Sequence, residues 1–294
     1  MRRTLVVLAS LLLGAMAWGQ GVQERCTRYT VKFQGLEREY YLYQPSGLKA
    51  DAPTVVVLHG YGGSAIDGKW EMMDVAERNG FAVCYPQGLK DGTGHTCWNV
   101  GYPFQDGMKV DDVKFVAFLA KQMNKRHGLS KENVFLTGMS NGGEMCYLTA
   151  YRKPKAFKAI ASIAGLTLKW MPEELSYKVP VPFMEVHGDQ DRVSEWLGDP
   201  ENLGGWGAYI PVPIAVSKIL ALDGCTHESV TELPRWEGQN QVVLYQFTNG
   251  KPAAIGGKPC EVWLYRVIGG NHSWCDEGMD TCSEIWRFFS KYVD

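Results

Sequence analysis

A serine in a glycine-rich turn is the residue of this chain whose setting points most directly to chemistry. Ser140 lies in Gly138-Met139-Ser140-Asn141-Gly142, between an apolar run, Val134 to Thr137, and a helical pattern, Glu144 to Ala150. A strand that turns this sharply into a helix exposes the serine hydroxyl, and glycines leave room for the turn. A plain Gly-Ser turn between core elements has the same letters, so the interpretation depends on the serine's partners.

A serine hydroxyl becomes a useful nucleophile only when a histidine accepts its proton and a carboxylate orients that histidine. Two aspartates compete for the carboxylate role, both in His187-Gly188-Asp189-Gln190-Asp191 after the predicted strand Phe183 to Val186. We predict Asp191, because H-G-x-x-D with an apolar residue shortly after it, here Val193, is typical of an acid loop at a strand end. Asp189 is expected to hydrogen-bond its own turn, which is the commoner role of aspartate there.

His272 is the predicted base. It follows the predicted strand Val262 to Val267 on the glycine-rich segment Ile268-Gly269-Gly270-Asn271-His272, from which its ring can reach over the serine. The other histidines have structural or solvent interpretations. Two of them precede glycines at strand ends, where a ring nitrogen commonly tethers a loop, and three fall in polar loop contexts: His59 and His187, then His95, His127 and His227.

Backbone donors for a developing oxyanion are predicted beside the serine. The segment Leu58-His59-Gly60-Tyr61-Gly62-Gly63 follows an early strand and supplies the N–H of Tyr61, with Gly62 as the alternative. The second donor is the N–H of Asn141, the residue after the serine. Such donors typically lower the barrier of acyl transfer by several kcal/mol.

Alternating strands and helices are predicted to position these residues. The pattern indicates an α/β fold, with a mostly parallel central sheet and helices on both faces. Ser194 to Pro213, rich in Gly, Pro and Trp, is the main irregular insertion. The predicted strands are Tyr29–Phe33, Tyr40–Tyr43, Thr54–Leu58, Phe81–Tyr85, Val134–Thr137, Ala159–Ile163, Phe183–Val186, Val242–Phe247 and Val262–Val267, and the predicted helices are Trp70–Asn79, Asp111–Lys125, Glu144–Ala150 and Cys282–Tyr292.

The first residues predict export. Arg2 and Arg3 precede the apolar stretch Leu5 to Leu13 and the small residues around Ala17, which is the order of a secretory signal peptide. We predict a signal peptide over residues 1–19, a single catalytic domain over 20–294, and a secreted or periplasmic location. Removing the two arginines changes the formal charge from −2 to −4 without any block of like charge. Neither a nucleic acid nor a membrane is therefore expected as a partner.

The chain has eight cysteines, and in an exported protein an even number favours disulfides over metal sites. The preferred pairs are Cys84–Cys97, Cys225–Cys260 and Cys275–Cys282, although sequence alone does not fix connectivity. Cys146 lies on the apolar side of the helix after Ser140 and is equally well explained as a buried free thiol.

Seven segments together resemble one enzyme family. They are V-V-V-L-H-G-Y-G-G-S, G-F-A-V-C-Y-P-Q-G, C-W-N-V, V-D-D-V, L-T-G-M-S-N-G-G, H-G-D-Q-D and G-G-N-H-S-W, spanning Thr54 to Trp274. In this order they are similar to carbohydrate esterase family 1, α/β-hydrolases that include feruloyl esterases, acetylxylan esterases and poly(3-hydroxybutyrate) depolymerase-like proteins. The resemblance implies an α/β-hydrolase fold, a triad of Ser140, Asp191 and His272, and activity without a metal or organic cofactor.

The resemblance also implies a substrate. It favours a secreted esterase that releases feruloyl or acetyl groups from plant cell-wall xylan, so the expected partners are polysaccharide or oligosaccharide esters. Trp98, Trp206 and Trp274 fall on loops expected around the site and are predicted to contact substrate, with Trp196 nearby; packing beneath those loops is an equally good explanation for each. Two departures concern specificity: Cys275 follows Trp274 where the family often has proline, and the insertion before Pro213 is unusually long.

Other functions use the same scaffold. A depolymerase of short-chain polyhydroxyalkanoates is the alternative enzyme, although no separate polymer-binding domain is visible. An acyltransferase to a carbohydrate would need the same residues. A non-catalytic carbohydrate-binding protein is a remoter alternative, because serine, acid, histidine and oxyanion loop are all present.

Overall fold

The computed structural model describes residues 22–69, 71–175 and 179–294. The predicted signal peptide and Trp70, the predicted first residue of a helix, lie outside the described residues.

A ten-stranded sheet dominates the described part of the chain. Its strands lie in the order β1-β2-β4-β3-β7-β8-β10-β14-β13-β12, and the six from β4 to β14 run parallel, while both edges are antiparallel. Two small sheets pair β5 with β6 and β9 with β11. The bounds are β1 Thr27–Phe33, β2 Leu36–Tyr43, β3 Thr54–Leu58, β4 Ala82–Pro86, β5 Leu89–Lys90, β6 Thr96–Cys97, β7 Val134–Met139, β8 Ile160–Ile163, β9 Thr167–Leu168, β10 Phe183–Gly188, β11 Tyr209–Ile210, β12 His227–Glu232, β13 Val242–Thr248 and β14 Val262–Val267.

Helices cover both faces of the sheet. They are α1 Val22–Arg25, α2 Glu71–Asn79, α3 Asp112–His127, α4 Asn141–Arg152, α5 Trp170–Glu174, α6 Val212–Asp223 and α7 Thr281–Ser290, with single 3-10 turns at Ala65–Asp67 and Pro103–Gln105. One hydrophobic core contains the inner faces of α3, α4 and α6, and the other contains those of α2 and α7. Every residue of β3 is buried, as expected for a β-branched strand at the centre of a sheet covered on both sides.

Local chemistry explains where the longest helix begins and ends. The carboxylate of Asp111 accepts a hydrogen bond from the Lys114 N–H at the start of α3, and Gly128 ends the helix in the left-handed region with φ of 65°. α3 shares a hydrophobic core with Val134 and Leu136 of β7, the strand that leads to Ser140.

The central strands lie where the sequence predicts them, but two long elements were not predicted. α6 begins inside the segment predicted to be irregular, and β12 is an edge strand. His127 also differs from its predicted solvated position, because it packs against Tyr29 and bonds the Tyr40 hydroxyl at 2.8 Å. Among the described residues, no helix combines the length and apolarity that crossing a bilayer requires.

The predicted disulfides are not formed, since all eight cysteines are free thiols. Cys84 points into the core from β4, whereas the sulfur of Cys97 lies 3.2 Å from the Gln105 side-chain nitrogen. Cys225 and Cys260 are neighbours, but the Cys225 thiol faces the carbonyl oxygen of Cys260 at 3.6 Å rather than its sulfur. The Cys275 thiol faces the carbonyl oxygen of Ser273 instead of Cys282.

Candidate active site

The turn between β7 and α4 holds Ser140 in a strained conformation. Its φ of 58° and ψ of −125° lie in a region that side chains rarely adopt, and its N–H donates to the Ile163 carbonyl at 2.8 Å. Two residues later the backbone approaches β3 so closely that a Cβ on Gly142 would lie 2.7 Å from the Leu58 carbonyl oxygen. The sequence G-x-S-x-G is therefore required by the geometry of this turn, which presents the serine hydroxyl outward.

Ser140, His272 and Asp191 form a continuous hydrogen-bonded chain. The Ser140 Oγ lies 2.9 Å from Nε2 of His272, and Nδ1 of His272 lies 2.7 Å from Oδ2 of Asp191. The side chain of His272 is 18% exposed, whereas that of Asp191 is fully buried. An imidazole placed in this way can accept the serine proton at Nε2 while the carboxylate fixes the proton on Nδ1.

The acid loop after β10 supports Asp191 as a carboxylate. Its Oδ1 accepts the N–H groups of Val193 at 2.7 Å and Ser194 at 2.9 Å. Burial would raise the pKa of Asp191, but the hydrogen bond and charge of His272, the charge of His187 and the backbone donor together hold it below its ordinary value. Asp191 therefore stays ionised at neutral pH.

Asp189 has a different role from the one predicted. Its Oδ1 accepts the Gly269 N–H at 2.7 Å and its Oδ2 accepts from the Arg266 guanidinium at 2.8 to 2.9 Å. It therefore ties the acid loop to β14 and to the loop that carries His272, rather than closing its own turn. The Gln190 N–H adds a second tie, to the Gly270 carbonyl at 3.0 Å.

The predicted oxyanion donors lie on the two sides of Ser140. The loop after β3 approaches closely, because a Cβ on Gly60 would lie 3.4 Å from the Ser140 Cβ. The Gly62 N–H is already bonded to the Thr96 carbonyl at 2.8 Å, while within the described chain the Tyr61 N–H has no hydrogen-bond partner. Asn141 is the first residue of α4, so its N–H has no helical carbonyl to bond. Tyr61 and Asn141 thus remain the donors that suit an oxyanion.

Two side chains hold the backbone around the predicted oxyanion loop, Leu58 to Gly63. His59 lies with Nδ1 2.7 Å from the Gly60 carbonyl, and its Nε2 accepts the Gly88 N–H at 3.0 Å. Burial lowers the pKa of His59, so the ring is neutral and acts as a tether, as predicted. The Asn141 side chain binds both backbone groups of Trp98, accepting its N–H at 2.7 Å and donating to its carbonyl at 3.1 Å.

The three predicted tryptophan contacts have different positions. Trp98 is fully buried and donates its indole N–H to the His59 carbonyl at 2.9 Å, so it supports the oxyanion loop and has no face for a ligand. Trp206 is half-buried within the insertion and lies against the Tyr61 ring at 5.4 Å. Trp274 is half-buried two residues after His272, with the Lys69 ammonium 5.8 Å from its ring. Trp206 and Trp274 therefore remain candidates for substrate contact.

An aromatic cluster beside the oxyanion loop was not predicted as a unit. Tyr61, Tyr102, Phe104 and Trp206 contact one another with ring centroids 5.0 to 6.4 Å apart. Within it the Tyr102 hydroxyl donates to Glu144 of α4, whose burial raises its pKa to about 8. The sequence signal for this cluster is the number of aromatic residues in three segments, Tyr61, Tyr102-Pro103-Phe104 and Trp206. Only the fold brings these segments together.

Comparisons with known proteins relate part of the chain to esterases. Residues 38–177 match the family described as esterase PHB depolymerase. The bifunctional acetylxylan esterase/xylanase XynS20E of Neocallimastix patriciarum is 30% identical over 164 residues, which are 54% of this chain and 22% of the relative. Feruloyl esterase B of Thermothelomyces thermophilus is 31% identical over 136 residues, 44% of each protein. The chain thus spans less than half the length of either relative.

A solved esterase structure has a similar fold. The solved acetyl xylan esterase from Aspergillus awamori superposes with a TM-score of 0.60 over 90% of this chain and 99% of that one, at 14% identity. The chain therefore has the α/β-hydrolase fold. The resemblance to the esterase family is confirmed by the family match and by the curated relatives. Slightly less than half of the chain therefore matches an esterase family model, and both curated relatives are named as esterases.

Proposed function

We propose that the protein is an exported serine esterase that releases feruloyl, or other hydroxycinnamoyl, and acetyl groups from plant cell-wall xylan. The observation that carries the proposal is His272, whose two ring nitrogens lie 2.9 Å from the Ser140 hydroxyl and 2.7 Å from Asp191. The relatives named for acetylxylan and feruloyl esters support the substrate class.

The proposed reaction proceeds through an acyl-enzyme. Ser140 attacks the ester carbonyl as His272 takes the hydroxyl proton, and the N–H groups of Tyr61 and Asn141 stabilise the oxyanion. His272 then gives the proton to the oxygen of the leaving sugar, and the C–O bond to the sugar breaks. Water, deprotonated by His272, attacks the acyl group and releases the free acid and Ser140.

The aromatic cluster supports an aromatic acyl group. Tyr61 supplies an oxyanion donor from its backbone, and its ring lies against Phe104 and Trp206, both half-buried. A hydroxycinnamoyl ring placed beside the carbonyl would stack or make edge contacts with these rings, each contact contributing about 0.5–1.5 kcal/mol. An acetyl group would leave the same surface uncovered.

A polyester depolymerase is the second candidate. The family match is described by that activity, and the insertion carries two strongly exposed leucines, Leu197 at 75% and Leu203 at 89%. Exposed apolar side chains of this kind suit contact with a polyester surface.

The experiment measures hydrolysis by the protein lacking residues 1–19 on methyl ferulate, feruloylated arabinoxylan, acetylated xylan and poly(3-hydroxybutyrate). Ser140→Ala is run beside it on every substrate. Ferulate release that disappears in the variant supports a feruloyl esterase, and acetate release alone supports an acetylxylan esterase. Activity on the polyester alone refutes the polysaccharide assignment, and activity that survives in Ser140→Ala refutes the mechanism.

A further inference from the structure

A second histidine–carboxylate pair lies directly behind the catalytic acid. His187 and Glu185 are two residues apart on β10, so they share one face of the strand, and both are fully buried. Nδ1 of His187 lies 2.8 Å from Oε1 of Glu185, and its Nε2 lies 2.7 Å from the Ser194 carbonyl oxygen. Nε2 is also 3.6 Å from Oδ2 of Asp191, the oxygen that bonds His272. The catalytic carboxylate therefore lies between two imidazole rings.

The partners of His187 determine its protonation. A carbonyl oxygen only accepts hydrogen bonds, so Nε2 carries a proton. Burial raises the pKa of Glu185, and the hydrogen bond and charge of His187 oppose that rise. When Glu185 is ionised it also only accepts, so Nδ1 carries a second proton. Burial lowers the pKa of His187, but the hydrogen bond and charge of Glu185 and the charge of Asp191 raise it above its ordinary value. A ring with acceptors at both nitrogens is best described as an imidazolium.

The groups around the pair are mostly neutral. Those that face Glu185 or Asp191 are Cys146 and Tyr147 of α4, Ser162 of β8, Tyr209 of β11, Cys275 after β14, and His272. Burial raises the pKa of the Tyr209 hydroxyl, which is therefore uncharged. Burial raises the pKa of the Cys146 and Cys275 thiols and of the Tyr147 hydroxyl, so these three stay uncharged. Of the groups in this set, His272 alone can add a second positive charge.

We propose that Glu185 holds His187 as an imidazolium. This cation positions Asp191 and, together with His272, faces the negative charge of the Asp191 carboxylate. This inference rests on the esterase function proposed above. His187 anchors the Ser194 carbonyl, and the N–H of the same residue donates to Asp191 at 2.9 Å. Its charge also offsets part of the Asp191 charge, because His187 Nε2 lies 3.6 Å from the Asp191 oxygen that bonds His272. His187 and Glu185 are thus positioning residues and do not touch the substrate.

The kinetic test compares Glu185→Gln and His187→Gln with the unmodified protein in p-nitrophenyl acetate hydrolysis between about pH 5 and pH 9. Loss of the cation leaves the Asp191 carboxylate facing His272 alone, so that carboxylate attracts a proton at the catalytic pair more strongly. The acid limb of kcat/KM should move upward by about half to one pH unit. The double variant should show the same displacement as either single variant, because all of them break one pair.

Asp223→Asn is the matched control, since it also replaces a buried carboxyl by an amide but lies at the end of α6, where it accepts the Val181 N–H. Its acid limb should not move. A merely structural role for Glu185 and His187 would lower the amount of active enzyme at every pH and leave the limb in place, and that result would overturn the proposal.

An activity-independent measurement completes the test. Nitrogen-15 NMR of the histidine rings in Ser140→Ala at about pH 7.5 should show His187 protonated at both nitrogens, and Glu185→Gln in that background should remove one proton. A neutral His187 in the Ser140→Ala protein would overturn the proposal. If His187 is doubly protonated in Ser140→Ala but the unmodified protein hydrolyses none of the ester substrates, the proposed function is refuted and the state of the pair is established.

Discussion

Replacing Asp191 by asparagine should nearly abolish activity while leaving the site's shape intact. In the structure Oδ1 of Asp191 accepts two backbone N–H groups, from Val193 and Ser194. An asparagine must keep its carbonyl oxygen on those donors, so its NH2 group turns toward Nδ1 of His272. His272 would then accept at Nδ1 and carry its proton at Nε2, where it can no longer accept the proton of Ser140.

The expected decrease in kcat follows from the loss of His272 as a base. A triad histidine in the wrong tautomer typically lowers kcat about 10⁴-fold, which corresponds to about 5.5 kcal/mol in the barrier. We expect Asp191→Asn to lose 10³- to 10⁴-fold in kcat on methyl ferulate or p-nitrophenyl acetate, with KM changed by about twofold at most. The thermal unfolding midpoint checks that the variant is folded.

Asp189→Asn is the matched control, since both aspartates lie in one loop. It loses the charge that faces Arg266, whose side chain is 38% exposed, so the ion pair contributes about 1 kcal/mol or less to stability. Its kcat should stay within about fivefold of the unmodified protein. Equal losses in the two variants, or an Asp191→Asn variant that keeps a tenth of the activity, would refute the reasoning.

The remaining predictions concern the aromatic cluster, a buried acid and the turn. Trp206→Ala should raise KM for methyl ferulate about five- to tenfold and leave p-nitrophenyl acetate hydrolysis within about twofold; equal effects on both would contradict an aromatic acyl site. Burial raises the pKa of Asp223 to about 8, so the stability it contributes is complete below about pH 4 and is lost as the pH rises through 8. Denaturant unfolding should therefore find Asp223→Asn more stable than the unmodified protein by about 2 kcal/mol at pH 8.5 but not at pH 4, and a constant difference would contradict the assignment. Gly142→Ala should lower the free energy of unfolding by about 3 kcal/mol or more, because its Cβ meets the Leu58 carbonyl, whereas Gly92→Ala, with no atom within 4 Å, should change it by less than about 0.5 kcal/mol; similar unfolding curves for the two would contradict the close approach.

Much of the sheet and the positions of Ser140, Asp191 and His272 could be predicted because their signals are local. Strands buried on both faces, such as β3, read as continuous apolar runs, and each of the three residues follows such a run in a short polar or glycine-rich segment. Whether these residues act as a triad is a matter for the experiments above.

The missed elements lack such local signals. All six residues of β12 are exposed, so its sequence has no alternation to mark a strand. The helix α6 is apolar on most sides and has proline in its first turn, at the edge of a segment rich in Gly and Pro. Both elements are specified by their packing against β13, β14 and β10, which the sequence does not display.

Side-chain roles were hardest to predict where the partner is distant. Arg266 binds Asp189 across 77 residues, and the burial of Trp98 depends on the His59 carbonyl 39 residues away and on Asn141 43 residues away. From the sequence alone, Trp98 was therefore predicted to contact a ligand. The same limit applies to Trp206, whose aromatic neighbours come from two separate segments, Tyr61 and Tyr102-Pro103-Phe104.

The central claim is that His272 and Asp191 make Ser140 a nucleophile, and covalent labelling tests it most directly. The protein is treated with a fluorophosphonate, and the modified residue is identified by intact mass and peptide mapping. We expect one label on Ser140, no label in Ser140→Ala, and labelling slowed by at least about 100-fold in His272→Gln. Labelling of a different residue, or equal labelling in Ser140→Ala, would contradict the account.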